Sequence, residues 1–466
     1  MTQLMTPTPN PMIQQSIHQP SNFSPEQAEA FTQFRQKKNL FLTGPGGTGK
    51  SYLVKAMVEH CKATQRVCQV CALTGCAAIL LDCNASTIHS WSGIGTMNSQ
   101  DEIILKRIQK NKDMKAQWKN TDVLIVDEVS MMSKRMFELL YFLAQRLRLD
   151  KTAFGGMQVV FVGDFFQLPP IDKDGFCFES DQWFKVFPKA QHLELKTFFR
   201  QSDPVYIDIL MKIRKGQLDK PSIALLEQYV ARDRDKPITK IVPTRKQADF
   251  INQSTYDKLT GEESVLGASI RKDMTTYVRD GRPIDPALLT VCSGLTDREK
   301  TYELENLMKN NHLCPILRLK KGTQVMCVRN IDVANQVCNG SQGIVEDFIK
   351  DRPVILFSNG RRMTMEKVWF QSDHYPSLAI AQYPLCMAWA VTIHKIQGSS
   401  LSHAQIDVGN SIFEYGQTYV ALSRIKTMDG LYLMNFQPNR IKSDPKVLAF
   451  YESIALPDLA TLDLEP

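Results

Sequence analysis

The stretch Gly44–Ser51, GPGGTGKS, follows the apolar run NLFLT and precedes YLVKAMVEHC, whose apolar residues recur at helical spacing. Gly44, Gly49, Lys50 and Ser51 satisfy the pattern G-x-x-x-x-G-K-[ST] in the strand-loop-helix setting that phosphate binding requires. Pro45, Gly46, Gly47 and Thr48 complete a loop whose backbone N–H groups can turn toward phosphate oxygens at a helix N-terminus. Lys50 is then placed to reach the β and γ phosphates, and the Ser51 hydroxyl to ligate Mg2+. A glycine-rich turn without a ligand is the alternative, and the flanking strand and helix argue against it.

Two more apolar runs end in polar residues. DVLIVDE closes on Asp127 and Glu128, and VVFVGDFFQLPP carries Asp164 and Gln167 just beyond its apolar part. Ligands of open parallel sheets bind at such strand ends. Asp127 is expected in the magnesium shell, Glu128 as the group that orients or deprotonates a water, and Gln167 as a hydrogen-bond partner of the γ phosphate. Taken alone, adjacent carboxylates at a strand end read as solvated loop acids, and Gln167 as a turn residue before Pro169. A water-activating glutamate points to a nucleoside triphosphatase rather than a small-molecule kinase, which would also be shorter.

Elements that could hold these residues recur along the chain. Short β-rich runs (NLFLTG, VCQVCALTG, DVLIVDE, MQVVFVGD, HLELK) alternate with helical segments, the signature of a parallel α/β sheet buried on both faces. A second series starts at ITKIVPT and resumes at HAQIDVG and GLYLMNF. Between them, PVILFSNGRRMTMEKVWF alternates around Ser358–Arg361 as a β-hairpin does. The expectation is an α/β protein of two lobes with a small β-rich insertion.

The 466 residues suffice for several cores, and a net charge of +7 suits a polyanionic partner without proving one. No apolar stretch approaches the roughly 20 residues that span a bilayer, and no secretory signal is expected at the start, so an intracellular, soluble protein with no membrane partner is expected. Of 11 cysteines, five lie between Cys61 and Cys83. Cys68 and Cys71 have zinc-like spacing, but three apart on a strand they face opposite ways, so core thiols are expected. Residues 1–22 lack Lys, Arg, Asp and Glu and read as a disordered tail.

In this order the chain resembles the Pif-type (petite integration frequency) DNA helicases, a RecD-like branch of helicase superfamily one. The segments FLTGPGGTGKS, LTGCAAILL, STIHSWSGIG, LIVDEVSMM, FGGMQVVFVGDFFQLPP, FFRQSDPVYIDILMKIRKG, VTIHKIQGSSL and YVALSRIKTMDGLYL carry the resemblance from about Phe23 to Phe436. It implies two RecA-like P-loop NTPase lobes with parallel sheets, an SH3-like β insertion in the second lobe, and a short wedge element in the first, about residues 93–120. The boundaries expected are a first lobe over 23–200, the start of the second over 201–254, an unassigned insertion over 255–315, the β-rich insertion over 316–380, the rest of the second lobe over 381–440, and a tail over 441–466.

The resemblance implies ATP-driven movement along single-stranded DNA with 5'-to-3' polarity and unwinding of duplex and forked DNA, with RNA–DNA hybrids and G-quadruplexes as further candidates. Replication, repair, recombination or telomere maintenance would be the setting, in a nucleus, a mitochondrion or at a site of viral genome replication. Gln27 matches the glutamine that reads adenine, and Arg200 and Arg424 match arginines that reach the γ phosphate from opposite sides of the cleft. Thr74, Thr87, His89, Thr392, His394 and Lys395 fill DNA-contacting positions, with a Thr-Ile-His triplet in each lobe. The basic run RIQKNKDMKAQWKN reads first as a solvated helix face and second as a DNA contact. Gly398 reads as a site of close backbone approach or a turn, and Asn339 as a residue near the strand or a turn former. An RNA-directed helicase, a nucleotide kinase, and a nucleic-acid-binding P-loop protein without unwinding activity are the alternatives.

Overall fold

The computed structural model describes residues 22–455, apart from 75, 76, 79, 80, 82, 84, 96, 98, 172, 173, 233–237, 279, 280, 312, 333, 334, 336, 338, 339, 373 and 374. The expected N-terminal tail, Asn339 and residues 456–466 thus lie almost wholly outside the described residues.

Six parallel strands form the first lobe: β1 (Leu40–Thr43), β2 (Cys68–Ala72), β3 (Ser86–Thr87), β4 (Val123–Asp127), β5 (Gln158–Val162) and β6 (His192–Glu194). Their order is β3-β2-β4-β5-β1-β6. Successive residues of a strand point to opposite faces. Accordingly Phe41, Leu124, Val126, Val159 and Phe161 join one core, whereas Leu40, Leu42, Val123, Ile125, Val160 and Val162 join the other. A strand covered on both faces must be apolar throughout, which is why these runs do not alternate.

The same pleat separates the two cysteines of β2. Cys71 enters the first core, and Cys68 packs against the second. Burial pushes the Cys71 thiol up to about 12, so it stays protonated. Among the described residues no group of three or more His, Cys, Asp or Glu could hold a metal, and no helix is long and apolar enough to cross a membrane.

The second lobe holds four parallel strands in the order 390–392, 240–242, 404–408, 431–436. Ile241, Val391, Ile406 and Leu433 fill its core together with Ile209 and Leu210 of the helix Pro204–Lys215. Between its strands sits a five-stranded antiparallel sheet. Strands Arg352–Phe357 and Arg362–Thr364 of that sheet pair across Ser358–Arg361, where Gly360 takes φ +83°. The described residues of 255–315 include strands Ser264–Gly267 and Ser269–Arg271, which pair with Ile316–Leu319 and Ala379–Gln382, and the helix Asp297–Asn310, which sends Leu304 into the second-lobe core.

Helices Asp101–Lys110 and Lys112–Asn120 occupy the expected wedge region. Ile104, Leu105, Ile108 and Trp118 hold them to the first core, while Lys112, Lys115 and Lys119 face outward.

One expectation is corrected. Residues 441–455 do not trail away, because Pro445–Ala455 is a helix whose Val447 and Phe450 enter the first-lobe core. Phe450 stacks on Phe178 with ring centroids 4.3 Å apart. Its eleven residues were too few, and too close to a polar terminus, for periodicity to reveal the helix.

Candidate nucleotide and nucleic-acid site

The phosphate loop takes its shape from glycines that cannot carry a side chain. Gly44 sits at φ +133°, where a Cβ would lie 2.3 Å from the Leu195 carbonyl oxygen, and Gly47 at φ +93°, where it would meet Arg200 Cβ at 2.7 Å. Gly49 caps the helix Lys50–Ala63 without any side-chain bond, so the first N–H groups of that helix are free to meet an anion. Thr48 braces the loop by donating to the Pro45 carbonyl at 2.9 Å. The Lys50 ammonium donates to the carbonyls of Gly44 and Pro45 at 2.6 and 2.9 Å. Burial lowers its pKa, and Asp164, Glu128 and Asp127 act in the opposite sense. Ser51, on the first turn, is exposed.

At the end of β4, burial and the neighbouring Glu128 push the Asp127 carboxyl up to about 7, against the pull of the Glu128 amide and Lys50. Glu128 stands at φ +56°, a left-handed conformation that costs a non-glycine residue about 1 kcal/mol or more. This turn aims Glu128 at the other lobe: its Oε2 accepts from Gln397 Nε2 at 3.1 Å.

The two arginines converge on the same loop. A side chain at Gly46 would lie 3.4 Å from Arg424 Nη2 and 3.5 Å from Arg200 Nη1. Arg424 donates to Val420 and Ser423, and Arg200 to the Ser423 carbonyl at 3.0 Å. Burial, then the charge of Arg424, pushes Arg200 down to about 9. Neither forms an ion pair among the described residues, so a buried Arg424 and a half-buried Arg200 face the backbone cradle, with the Glu128 charge acting on both from a distance. Gln167, also buried, has an Oε1 with no partner among the described residues.

A polyphosphate fits this cradle. Its negative oxygens would meet the free N–H groups, Lys50, Arg200 and Arg424, and an accompanying Mg2+ would relieve the ionisation penalty on Asp127.

Gln27 reaches the loop as well, donating to the Thr48 and Gly49 carbonyls at 3.4 Å, but its Oε1 accepts from the Ser24 amide as half of a capping box. Here the glutamine expected to read a base also closes its own helix.

The expected DNA-contacting residues gather at the sheet edges. Thr87 ends edge strand β3 and caps the helix Ile88–Ser92, accepting from Ser90 N at 3.2 Å. Thr392 ends the edge strand of the other sheet and starts the short helix Ile393–Ile396. In both triplets the isoleucine is fully buried, which turns His89 and His394 away from the core. His394 is exposed and Lys395 half-buried. Thr74 follows β2 and accepts from Ala77 N at 3.2 Å.

Comparison with known proteins decides the family. The PIF1-like helicase family matches residues 22–222 and the Pif1 2B domain matches 303–348. An ATP-dependent DNA helicase Pif1 of Bdellovibrio bacteriovorus is 32% identical over 92% of this chain and 91% of its own length. The chain belongs to the PIF1-like helicase family. The crystal structure of a Candida albicans Pif1 helicase superposes with a TM-score of 0.77 at 30% identity, covering 93% of this chain and 99% of that one. A Bacteroides Pif1 bound to single-stranded DNA superposes with a TM-score of 0.61 at 26% identity, covering 92% and 96%. Other matched helicases are longer, and the chain spans 66%, 50% and 64% of three of them.

Within this Pif1-like frame the structure adds residues that the motifs contained but did not single out. Tyr419 accepts from the Gly46 amide at 2.8 Å, and Gln201 donates to the carbonyls of Ser423 and Ile425 at 3.1 and 3.0 Å. Tyr419 and Gln397 make contacts between the lobes, while Gln201 ties the residue after Arg200 to the second lobe; the signal for all three was their closeness in sequence to Arg424, Lys395 and Arg200. Asp164 is fully buried in a two-nitrogen ion pair with Arg214, fifty positions along the chain. No sequence signal linked that pair.

Proposed function

We propose that this chain is an ATP-dependent DNA helicase that hydrolyses ATP between its two lobes and moves 5' to 3' on single-stranded DNA, opening duplex and forked DNA ahead of it. The observation that carries the reading is the convergence of Arg424, from the second lobe, and Arg200 on Gly46 of the first-lobe phosphate loop. Charge that develops on a transferred phosphoryl group would be met from both lobes at once.

The residues divide the work. Loop amides, Lys50 and both arginines bind the phosphates, Ser51 and Asp127 hold Mg2+, and Gln167 meets the γ phosphate. Bound magnesium neutralises phosphate oxygens. Glu128 orients and accepts a proton from the attacking water, and Gln397 holds it until closure. Gln27 reads the adenine edge, its Oε1 keeping a second lone pair beside the one that accepts from the Ser24 amide. Tyr419, Gln201 and Gln397 tie lobe closure to the loop, so loss of the γ phosphate loosens the joint.

Thr74, Thr87 and His89 hold the strand on one lobe, and Thr392, His394 and Lys395 on the other. Such contacts to phosphates and base faces bind without reading sequence. The work belongs to replication, repair, recombination or telomere maintenance, where DNA is kept: nucleus, mitochondrion or a site of viral genome replication.

Strand displacement on duplexes bearing a 5' or a 3' single-stranded overhang, with ATP and Mg2+, tests the reading. Unwinding from the 5' overhang alone is expected. Unwinding from the 3' overhang alone overturns the polarity, and ATP hydrolysis indifferent to added single strand overturns the motor.

A further inference from the structure

Behind the phosphate loop, the C-terminal helix reaches two strand ends at once. Thr43 is the last residue of β1 and stands directly before Gly44; Asp164 and Phe165 follow β5. The Tyr451 hydroxyl is hydrogen bonded to Thr43 Oγ1, accepts from the Phe165 amide at 3.2 Å, and lies 3.4 Å from Asp164 Oδ1. A phenol offers one donor and two acceptor sites. With Phe165 N–H and the Thr43 hydroxyl donating to it, and its own proton on Asp164, the whole capacity is used.

The ring is fixed as firmly as the hydroxyl. It stacks on Phe166 with centroids 4.7 Å apart and 16° between planes. The Arg214 guanidinium lies 4.5 Å from the Phe166 ring and 5.4 Å from the Tyr451 ring while it pairs with Asp164. Asp164 in turn accepts nothing from Lys50, yet its charge is the strongest that favours the protonated ammonium there. The segment continues to Gln167, whose amide donates to the Asp164 carbonyl at 2.8 Å.

We infer that Tyr451 is a positioning residue for hydrolysis, its hydroxyl setting the spacing between the phosphate loop and the Asp164–Gln167 segment. The inference rests on the nucleotide site proposed above. Tyr451 acts through its protein partners Thr43, Phe165 and Asp164. Losing its hydroxyl leaves the Phe165 amide unpaired and lets the two strand ends drift, so the groups that meet the γ phosphate lose register.

Tyr451→Phe keeps the ring against Phe166 and removes the bonds. In the full chain, kcat for ATP hydrolysis with single-stranded DNA should fall about tenfold, as expected for losing hydrogen bonds that include a charged partner. KM for ATP and affinity for the DNA strand should change less than about twofold, and melting should stay within a few degrees. Thr43→Val removes the other side of the bond and should lower kcat similarly, and the double variant should be no slower than the slower single one. If Tyr451→Phe loses its fold, Thr43→Val alone carries the same comparison. Wild-type kcat in both, or a raised KM with kcat kept, overturns the inference. Lys50→Ala assayed in parallel separates the two readings: if it still hydrolyses ATP, the nucleotide site itself is misplaced, whereas a dead Lys50→Ala beside an unaffected Tyr451→Phe rejects only the role of Tyr451.

Discussion

The two lobes repeat one half of their machinery and not the other. In each sheet the edge strand ends in a threonine that opens a short helix with a buried isoleucine and an outward histidine: Thr87, Ile88, His89 in one and Thr392, Ile393, His394 in the other. The neighbouring strand behaves alike, since Thr74 caps Ala77 N after β2 and Thr244 caps Gln247 N after Lys240–Val242. The nucleotide site has no such counterpart. The helix after Gly49 starts with its N–H groups uncapped, whereas Thr244 satisfies one of those groups in the helix Arg245–Asp257. On the function proposed above, two grips would serve one place of ATP hydrolysis, and the second lobe reaches toward that place with Arg424, Gln397 and Tyr419.

Variants on the two sides should therefore fail differently. Lys50→Ala, on the lobe that cradles the phosphates, should abolish phosphate release in a steady-state assay. Arg424→Ala, on the lobe that reaches over, should keep nucleotide binding by equilibrium titration and lose turnover by roughly a thousandfold, in line with arginine fingers that stabilise transition-state charge. Full turnover by Arg424→Ala would break the comparison outright.

Gln397→Ala removes the only bond that the structure gives Glu128 from the second lobe among the described residues. Turnover with single-stranded DNA should fall about tenfold, the size expected for a hydrogen bond to a charged group. Turnover without DNA should fall less, and equal losses would show that Gln397 carries no news of the strand.

His89→Ala and His394→Ala test the shared half. Each should weaken single-strand binding by about threefold to tenfold, as loss of one base or phosphate contact does, read by fluorescence anisotropy at fixed salt. A large loss in one and none in the other would make the resemblance of the two edges a matter of folding alone.

The smallest effect concerns stability. Asp127 titrates near 7 in the folded chain against a reference of 3.8. A raised carboxyl is a cost that begins above the unfolded pKa and is complete above the folded one. Without nucleotide, melting temperature should drop from pH 5 to pH 8, and Asp127→Asn should flatten that drop while it loses hydrolysis.

The half of the molecule that binds nucleotide was legible because its physics is local. Strands β1, β4 and β5 are buried at every position and apolar except at one end (Thr43, Asp127 and Gln158), and the motif residues lie at or just beyond their C-terminal ends, so motif and element coincide. Residues 255–315 were opaque because their strands are three or four residues long and Ser269–Arg271 is exposed throughout, leaving no pattern to read. Tyr451 was invisible for another reason: its partner Thr43 is 408 positions away. The glutamine expected to read adenine was found at the loop, but the sequence did not disclose that the same side chain closes a helix cap.

The path of the backbone has one more consequence. The chain leaves the first lobe near Leu195, builds the second, and comes back to plant Pro445–Ala455 on the body it left. Two connecting strips, rather than one, therefore join the moving parts. A single strip would permit twisting about its own length, whereas a pair restrains torsion more than it restrains bending.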